Sequence, residues 1–336
     1  MNRTMAFVAR KIFPYETPST WFPGHMHKTL KKLQSLSSEV DILIEVRDAR
    51  IPLTSRNFAV ESILKKRNRI IVYNKCDLAI PCETSLSTFR DEMVHLQQSF
   101  QSMQDWFQRS QGDIFKTVPS LTYVSSVPFY AKKLLKRIRN MAINGITKNQ
   151  RVHVYFIGMP NTGKSSILNS LRHISLRRSK AAITGNYPGV TKNFSEVVRL
   201  LEHAEVFMLD TPGIMTPSIA APEDMLKLSL VGCVKEGLID PVTLVDYLLF
   251  RINLVSPSIY AKWSPPTNDV DEFLGNVAHK IGKLSKGGGY NDNTVSTYII
   301  QQYRSGKLGK FMLDSMDKSS MSLRLQHELT KSQKKS

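Results

Sequence analysis

Several short stretches of this chain carry residues whose types and spacing suit phosphate and purine chemistry. Gly158-Met159-Pro160-Asn161-Thr162-Gly163-Lys164-Ser165 reads G-x-x-x-x-G-K-S, with Ser166 next. The two glycines let the backbone bend so that its N–H groups face a β-phosphate. Lys164 is expected to reach the β- and γ-oxygens, and the Ser165 hydroxyl to hold Mg2+. Asn74-Lys75-Cys76-Asp77 reads N-K-x-D. Asp77 can accept hydrogen bonds from the guanine N1–H and exocyclic amine. Adenine has no such donor pair, and the unpaired carboxylate costs roughly 10⁴-fold in discrimination. Asn74 should help hold the base site and the Lys75 stem should pack on the ring. The plainer role for Asp77 is a helix N-cap. Asp210-Thr-Pro-Gly213 offers a carboxylate to hold Mg2+ through water and a Gly213 N–H to meet the γ-phosphate. Thr191, in Pro188-Gly-Val-Thr191, is the candidate threonine that closes over Mg2+ and the γ-phosphate. Ser125-Ser126 stands where a backbone N–H would reach guanine O6, although Pro128 cannot donate one.

The order of these motifs is unusual. In an ordinary small GTPase the guanine tetrapeptide follows the phosphate loop; here it precedes it. The residue after D-T-P-G is Ile214, whose aliphatic side chain cannot orient an attacking water. Two further residues could contribute. Asn161 has a carboxamide oxygen that could help bind K+ between the β- and γ-phosphates, or it is simply a turn residue. His25, in Trp21-Phe-Pro-Gly-His25-Met-His27, could orient water; alternatively the segment docks RNA or protein, or anchors under the sheet.

These motifs need strands that end beside one another. Apolar runs at 40–46, 69–73, 121–124 and 152–157 read as buried strands, and 194–201 with 205–209 as a strand pair. Helical patterns fall at about 55–66, 83–108, 129–142 and 164–172. The alternation predicts an α/β fold, a P-loop GTPase domain on a doubly wound, mostly parallel sheet, with ligands at the C-terminal strand ends. After residue 215 prolines punctuate amphipathic stretches at about 222–236, 241–254, 269–284 and 291–305, which predicts a small all-helical domain. The expected organisation is therefore a basic segment at 1–18, a GTPase domain at 19–215, a helical RNA- or ribosome-binding domain at 216–317 and a basic disordered tail at 318–336. Phe7, Val8, Ile12 and Phe13 could share a helical face, which suits a short mitochondrial presequence.

The net charge of +18 points to nucleic acid or an anionic membrane surface as partner. Lys132, Lys133, Lys136, Arg137 and Arg139 cluster on one expected helix; Arg172, Arg177, Arg178 and Lys180 cluster near the phosphate loop. Structured RNA is held by phosphate and shape, so such faces suffice, although a solvated face is the plainer role. Three cysteines without pair spacing argue against a disulfide framework and fit a reducing compartment, and no apolar run reaches the roughly 18 residues of a spanning helix.

W-F-P-G-H-M, D-A-R-I-P-L-T-S-R-N, N-K-C-D, G-M-P-N-T-G-K-S, P-G-V-T and D-T-P-G in this order, with R-S-G-K-L-G at 304–309, resemble the circularly permuted YlqF/RbgA-type GTPases over about residues 19–316. The basic N-terminus and tail resemble a mitochondrial member. The resemblance implies GTP hydrolysis in late assembly of the large ribosomal subunit, with its rRNA and proteins as partners. It also implies K+ stimulation through Asn161, a catalytic role for His25 beside Lys164 and Thr191, and peripheral association with the matrix face of the inner membrane. The chain departs from the family in an insert-like helix between 78 and 120 and in the Ser-Ser-Val-Pro loop. Two other readings are a nucleotide-gated RNA-binding factor with incidental hydrolysis and a membrane-associated regulatory GTPase. In the permuted order D-T-P-G leads straight into the helical domain, so loss of γ-phosphate could move that domain and release RNA.

Overall fold

A computed structural model describes residues 7–16, 31, 34, 40–63, 68–80, 86–110, 119–145, 152–178, 206–210, 213–214, 219, 221–284 and 289–333. The chain forms two compact units, one of Met1–Trp21, Pro81–Glu83 and Ala221–Leu313, the other of Phe22–Ile80, Thr84–Ala220 and Asp314–Ser336.

The larger unit begins with strand β1 (Ile42–Asp48), helix α1 (Phe58–Ile63), β2 (Asn68–Asn74), a 3-10 turn (Cys76–Leu78) and α2 (Leu86–Ser110). It continues with β3 (Ser120–Thr122), α3 (Pro128–Gly145), β4 (Val152–Gly158), α4 (Lys164–Arg178) and β5 (Val206–Asp210). The five strands are all parallel, in the order β3-β2-β1-β4-β5. The chain builds outward from β1 through β2 and β3, then crosses back to place β4 on the other side of β1. The sheet therefore switches direction between β1 and β4, and the loops after those strands flank the crevice where such sheets bind ligands. β5 pairs with β4 from Val152↔Val206 to Phe156↔Asp210. Residues 194–201, expected as its companion strand, lie outside the described residues.

Period-two alternation assigns the sheet faces. Ile42, Ile44, Val46, Ile70, Val72, Val154 and Phe156 join Leu134, Leu135 and Ile138 of α3 and Ile167 and Leu171 of α4 in one core. Glu45 and Arg47 alternate with those residues and are also buried. Arg47 pairs with Glu45 at 2.6 Å and Glu61 at 2.5 Å, and Arg56 and Arg69 complete the network around Glu61. Burial pushes the Glu61 carboxyl up, but Arg56, Arg69 and Arg47 more than reverse this and hold it well below the usual carboxylate range.

The insert-like helix α2 covers the sheet edge. Its Gln97 Nε2 donates to the Ser120 carbonyl at 2.7 Å while Gln97 Oε1 accepts from the Thr122 N–H at 2.7 Å, and Gln101 Oε1 accepts from the Ser120 N–H at 2.9 Å. These amides satisfy backbone groups that edge strand β3 would otherwise leave open.

The smaller unit contains α5 (Pro222–Leu230), α6 (Pro241–Val255), a 3-10 turn (Pro257–Tyr260), α7 (Val270–Ile281) and α8 (Asp292–Arg304). Pro at N1 opens α5 and α6, and Asp240, Asp269 and Asn291 cap α6, α7 and α8. Residues 7–16, expected as an amphipathic helix, are non-helical. Val8 and Ile12 are exposed, whereas Phe13 meets Tyr247 edge-on at 5.3 Å and Arg10 pairs with Asp246 at 2.5 Å. Tertiary contact overrides the helical periodicity here.

The tail expected to be disordered instead forms helix α9 (Lys318–Gln333) in the larger unit. Asp317 caps it, accepting from the Ser320 N–H at 2.8 Å. Met321 and Arg324, three residues apart on one face, are buried. The polar composition of the segment hid this narrow face.

Candidate functional site: a phosphate loop braced by the guanine motif

The phosphate loop follows β4 and opens α4, so the unpaired N–H groups of that helix start converge on the loop. Gly158 has φ +147°, and a Cβ there would meet the Val46 carbonyl oxygen at 2.2 Å. Gly163 has φ +94°, and a Cβ there would meet Asn74 Nδ2 at 2.2 Å. Both positions require glycine for conformation and for room. Thr162 and Met159 are buried and brace the loop from beneath, the Thr162 hydroxyl donating to the Met159 carbonyl at 2.9 Å. Lys164 Nζ donates to the Met159 carbonyl at 2.8 Å and Gly158 carbonyl at 3.3 Å, which holds the ammonium across the loop. Ser165 and Ser166 sit exposed in the first turn of α4, and Pro160 is half-buried.

Asn74 and Lys75 leave the end of β2 and reach the phosphate loop directly. Asn74 Nδ2 donates to the Thr162 carbonyl at 2.9 Å, and Asn74 Oδ1 accepts from the Ser125 hydroxyl at 2.9 Å. Lys75 Nζ donates to the Asn161 carbonyl at 2.6 Å and pairs with Asp48 at 3.0 Å. Lys75 itself is left-handed, with φ 63°, which turns Asp77 into the half-buried first turn of the 3-10 helix. Ser125 thus bonds to Asn74 of N-K-x-D, while Ser126 is exposed beside it.

Asn161 is also left-handed, with φ 57°. Asparagine tolerates that conformation better than other side-chain-bearing residues, so the turn itself is a reason for Asn here. Ile214 is buried, and its N–H donates to the Gly158 carbonyl at 3.0 Å. That contact pins the chain after D-T-P-G to the phosphate loop. A Cβ on Gly213 would meet Pro160 Cα at 2.6 Å, so the two backbones touch. Asp210 ends β5; its side chain, with Thr191 and His25, lies outside the described residues.

Residues 48–57 matter more than their sequence suggests. Asp48 is fully buried, with Arg50 at 2.8 Å. Burial pushes its carboxyl up; Arg50 and Lys75 more than reverse that and hold it well below the usual carboxylate range. Cys76 is fully buried with its thiol donating to the Tyr73 carbonyl, and burial pushes that thiol up. Asp48, Arg50 and Asn57 stood in the sequence only as part of D-A-R-I-P-L-T-S-R-N; a dense polar run directly after an apolar strand was the available signal.

Mg2+ fits this site. Hydroxyl and carboxylate oxygens at 165 and 210 suit a hard cation, and no group of three or more His, Cys, Asp or Glu forms a metal cage among the described residues.

Residues 153–277 match the family model described as "50S ribosome-binding GTPase". The chain is 59% identical over 327 residues to "Mitochondrial GTPase 1" of Schizosaccharomyces pombe, covering 97% of this chain and 99% of that protein. It is 32% identical over 329 residues to "Mitochondrial ribosome-associated GTPase 1" of Mus musculus, covering 91% and 93% respectively. The GNP-bound YlqF of T. maritima superposes with a TM-score of 0.54 at 24% identity, covering 86% of this chain and 99% of that one. That likeness shows a shared fold.

Proposed function

Because the chain belongs to the mitochondrial GTPase 1 family, a family of GTP-hydrolysing enzymes, we propose that it hydrolyses GTP to promote late assembly of the mitochondrial large ribosomal subunit. In this reading it binds rRNA in the GTP state and releases it after hydrolysis, in the matrix or at the matrix face of the inner membrane. The observation that carries the guanine-nucleotide part is the brace of Asn74 on the Thr162 carbonyl and Lys75 on the Asn161 carbonyl. It joins base recognition and phosphate binding in one rigid frame, and a bound nucleotide would span it. The ribosomal part is supported by the names of the family model and the mouse relative, and by the exposed basic face of α3, where Lys132, Lys133, Lys136 and Arg137 stand clear of the core.

Asp77 would read the guanine edge, with Ser125 and Ser126 beside it. The loop 158–166, through its backbone N–H groups other than at Pro160, and the Lys164 ammonium would hold the phosphates, and the Gly213 N–H would sense the γ-phosphate. Ser165, Asp210 and Thr191 would hold Mg2+, which when bound neutralises charge on the β- and γ-phosphates. Asn161 would assist K+, and His25 would orient the attacking water in place of the aliphatic Ile214.

The test is GTP turnover in K+ and in Na+, with and without large-subunit particles. Particles should raise turnover in K+, and His25→Ala should abolish the rise while GTP affinity holds. Turnover indifferent to particles would sink the assembly reading.

A further inference from the structure

The loop from Asp48 to Asn57, between β1 and α1, is buried along its whole length. Connecting loops ordinarily run over the surface, because buried backbone and side-chain polar groups need partners. The partners here are specific. Asn57 Nδ2 donates to the Ile214 carbonyl at 3.0 Å. The Leu53 and Thr54 N–H groups donate to Asp314 Oδ2 at 2.8 and 2.7 Å, and the Thr54 hydroxyl donates to Asp314 Oδ1 at 2.7 Å. Arg324 of α9 donates to Thr54 Oγ1 at 3.3 Å.

Ile214 and Asp314 lie on either side of the Ala221–Leu313 segment of the helical unit, Ile214 seven residues before it and Asp314 directly after it. Ile214 directly follows D-T-P-G. One buried loop therefore grips the outgoing chain at its backbone carbonyl and the returning chain at a carboxylate. We infer that the 48–57 loop couples the nucleotide switch to the helical unit, with Asn57 as the positioning residue for Ile214 and Gly213, and the Thr54–Asp314 contact as the far end. The inference rests on Gly213 reading the γ-phosphate.

Ile214 is held from both sides, its N–H by the Gly158 carbonyl and its carbonyl by Asn57. A shift of Gly213 that follows γ-phosphate loss must break or drag one of these bonds. Asn57 is suited to carry it: its Oδ1 accepts from the Val60 N–H at 3.3 Å and so caps α1, which leaves Nδ2 for Ile214. Aspartate would keep the cap, since it ranks with asparagine there, and would set an oxygen against the Ile214 carbonyl. Asn57→Asp thus removes the switch contact and spares the helix.

The experiment measures GTPγS and GDP affinities, together with nucleotide-dependent hydrogen exchange at 221–230 and 305–313, for the full chain and three variants. Asn57→Asp should lower the preference for GTPγS over GDP about fivefold to tenfold, the worth of one hydrogen bond, with GDP affinity held. It should also erase the exchange difference between GTPγS and GDP states in both segments. Asp314→Ala should erase that difference at 305–313 and leave the affinities as they are; it serves alone if Asn57→Asp does not fold. Gly213→Ala is the control: retained GTPγS preference in it would refute the γ-phosphate role of Gly213. Lost preference in Gly213→Ala beside unchanged affinities and exchange in the other two variants would overturn the coupling.

Discussion

Asn74 and Lys75 tie the N-K-x-D segment to the phosphate loop. Their side chains end on the carbonyls of Thr162 and Asn161, so the frame for the phosphates is built by the motif for guanine. Asn74→Ala removes two hydrogen bonds and strands the buried Thr162 carbonyl. The expected cost is about 2 kcal/mol of unfolding free energy, measured by urea denaturation, with nucleotide release accelerated in parallel. Asp77 is the residue proposed to carry the specificity. In Asp77→Asn the amide offers a donor where the carboxylate accepted, so GTP affinity should fall by at least about 100-fold. Xanthosine triphosphate, which presents a carbonyl in place of the guanine amine, should bind better than it does to the parent chain. Competition between the two nucleotides checks this, and unchanged GTP preference would remove Asp77 from the base site.

At the level of elements, β1 carries two kinds of stability on its two faces. One is the hydrophobic core against α3 and α4; the other is the buried ionic network of Glu45, Arg47, Arg56, Glu61 and Arg69. Asp48 adds a second buried carboxylate at the strand end. Both Asp48 and Glu61 have folded-state values depressed below their ordinary ones, so the unfolded chain binds more protons than the folded one as acid is added. Their stabilisation is whole above the ordinary carboxylate range of about 4 and is lost as pH falls through their depressed values. Stability of the GTPase unit should therefore hold from neutrality to about pH 5 and fall steeply below about pH 4. Denaturation midpoints against pH should show a shallower acid limb in Asp48→Asn. Glu61→Gln leaves three guanidinium groups around an uncharged amide and should cost about 3–5 kcal/mol.

Across the whole molecule, a net charge of +18 suits an anionic partner. Among the described residues no helix is long and apolar enough to cross a membrane. Removing the charges of Lys132, Lys133, Lys136 and Arg137 together should lower rRNA affinity and reduce the salt dependence of binding by about three units of log K per log salt, if each contacts a phosphate. GTP turnover without particles should stay as it was, since these side chains stand on the exposed face of α3. An unchanged salt slope would exclude this face as the RNA contact.

The sequence by itself determined the strands, their parallel alternation with helices, and the phosphate and guanine motifs at the strand ends. Each of these is written locally: glycines at fixed offsets, a period of two for β1, a period near 3.6 for α3. Only the tertiary structure decided which distant residues meet. Asn57 reaches Ile214 across 157 positions and Thr54 reaches Asp314 across 260, and no local pattern encodes such pairs. It also decided that Phe13 and Arg10 pack on the helical unit and do not form a helix, and that a polar tail becomes α9 around buried Met321 and Arg324. In each case a few long-range contacts outweigh a local preference, because propensity differences are fractions of a kcal/mol per residue while a buried ring or a paired carboxylate is worth about one or more.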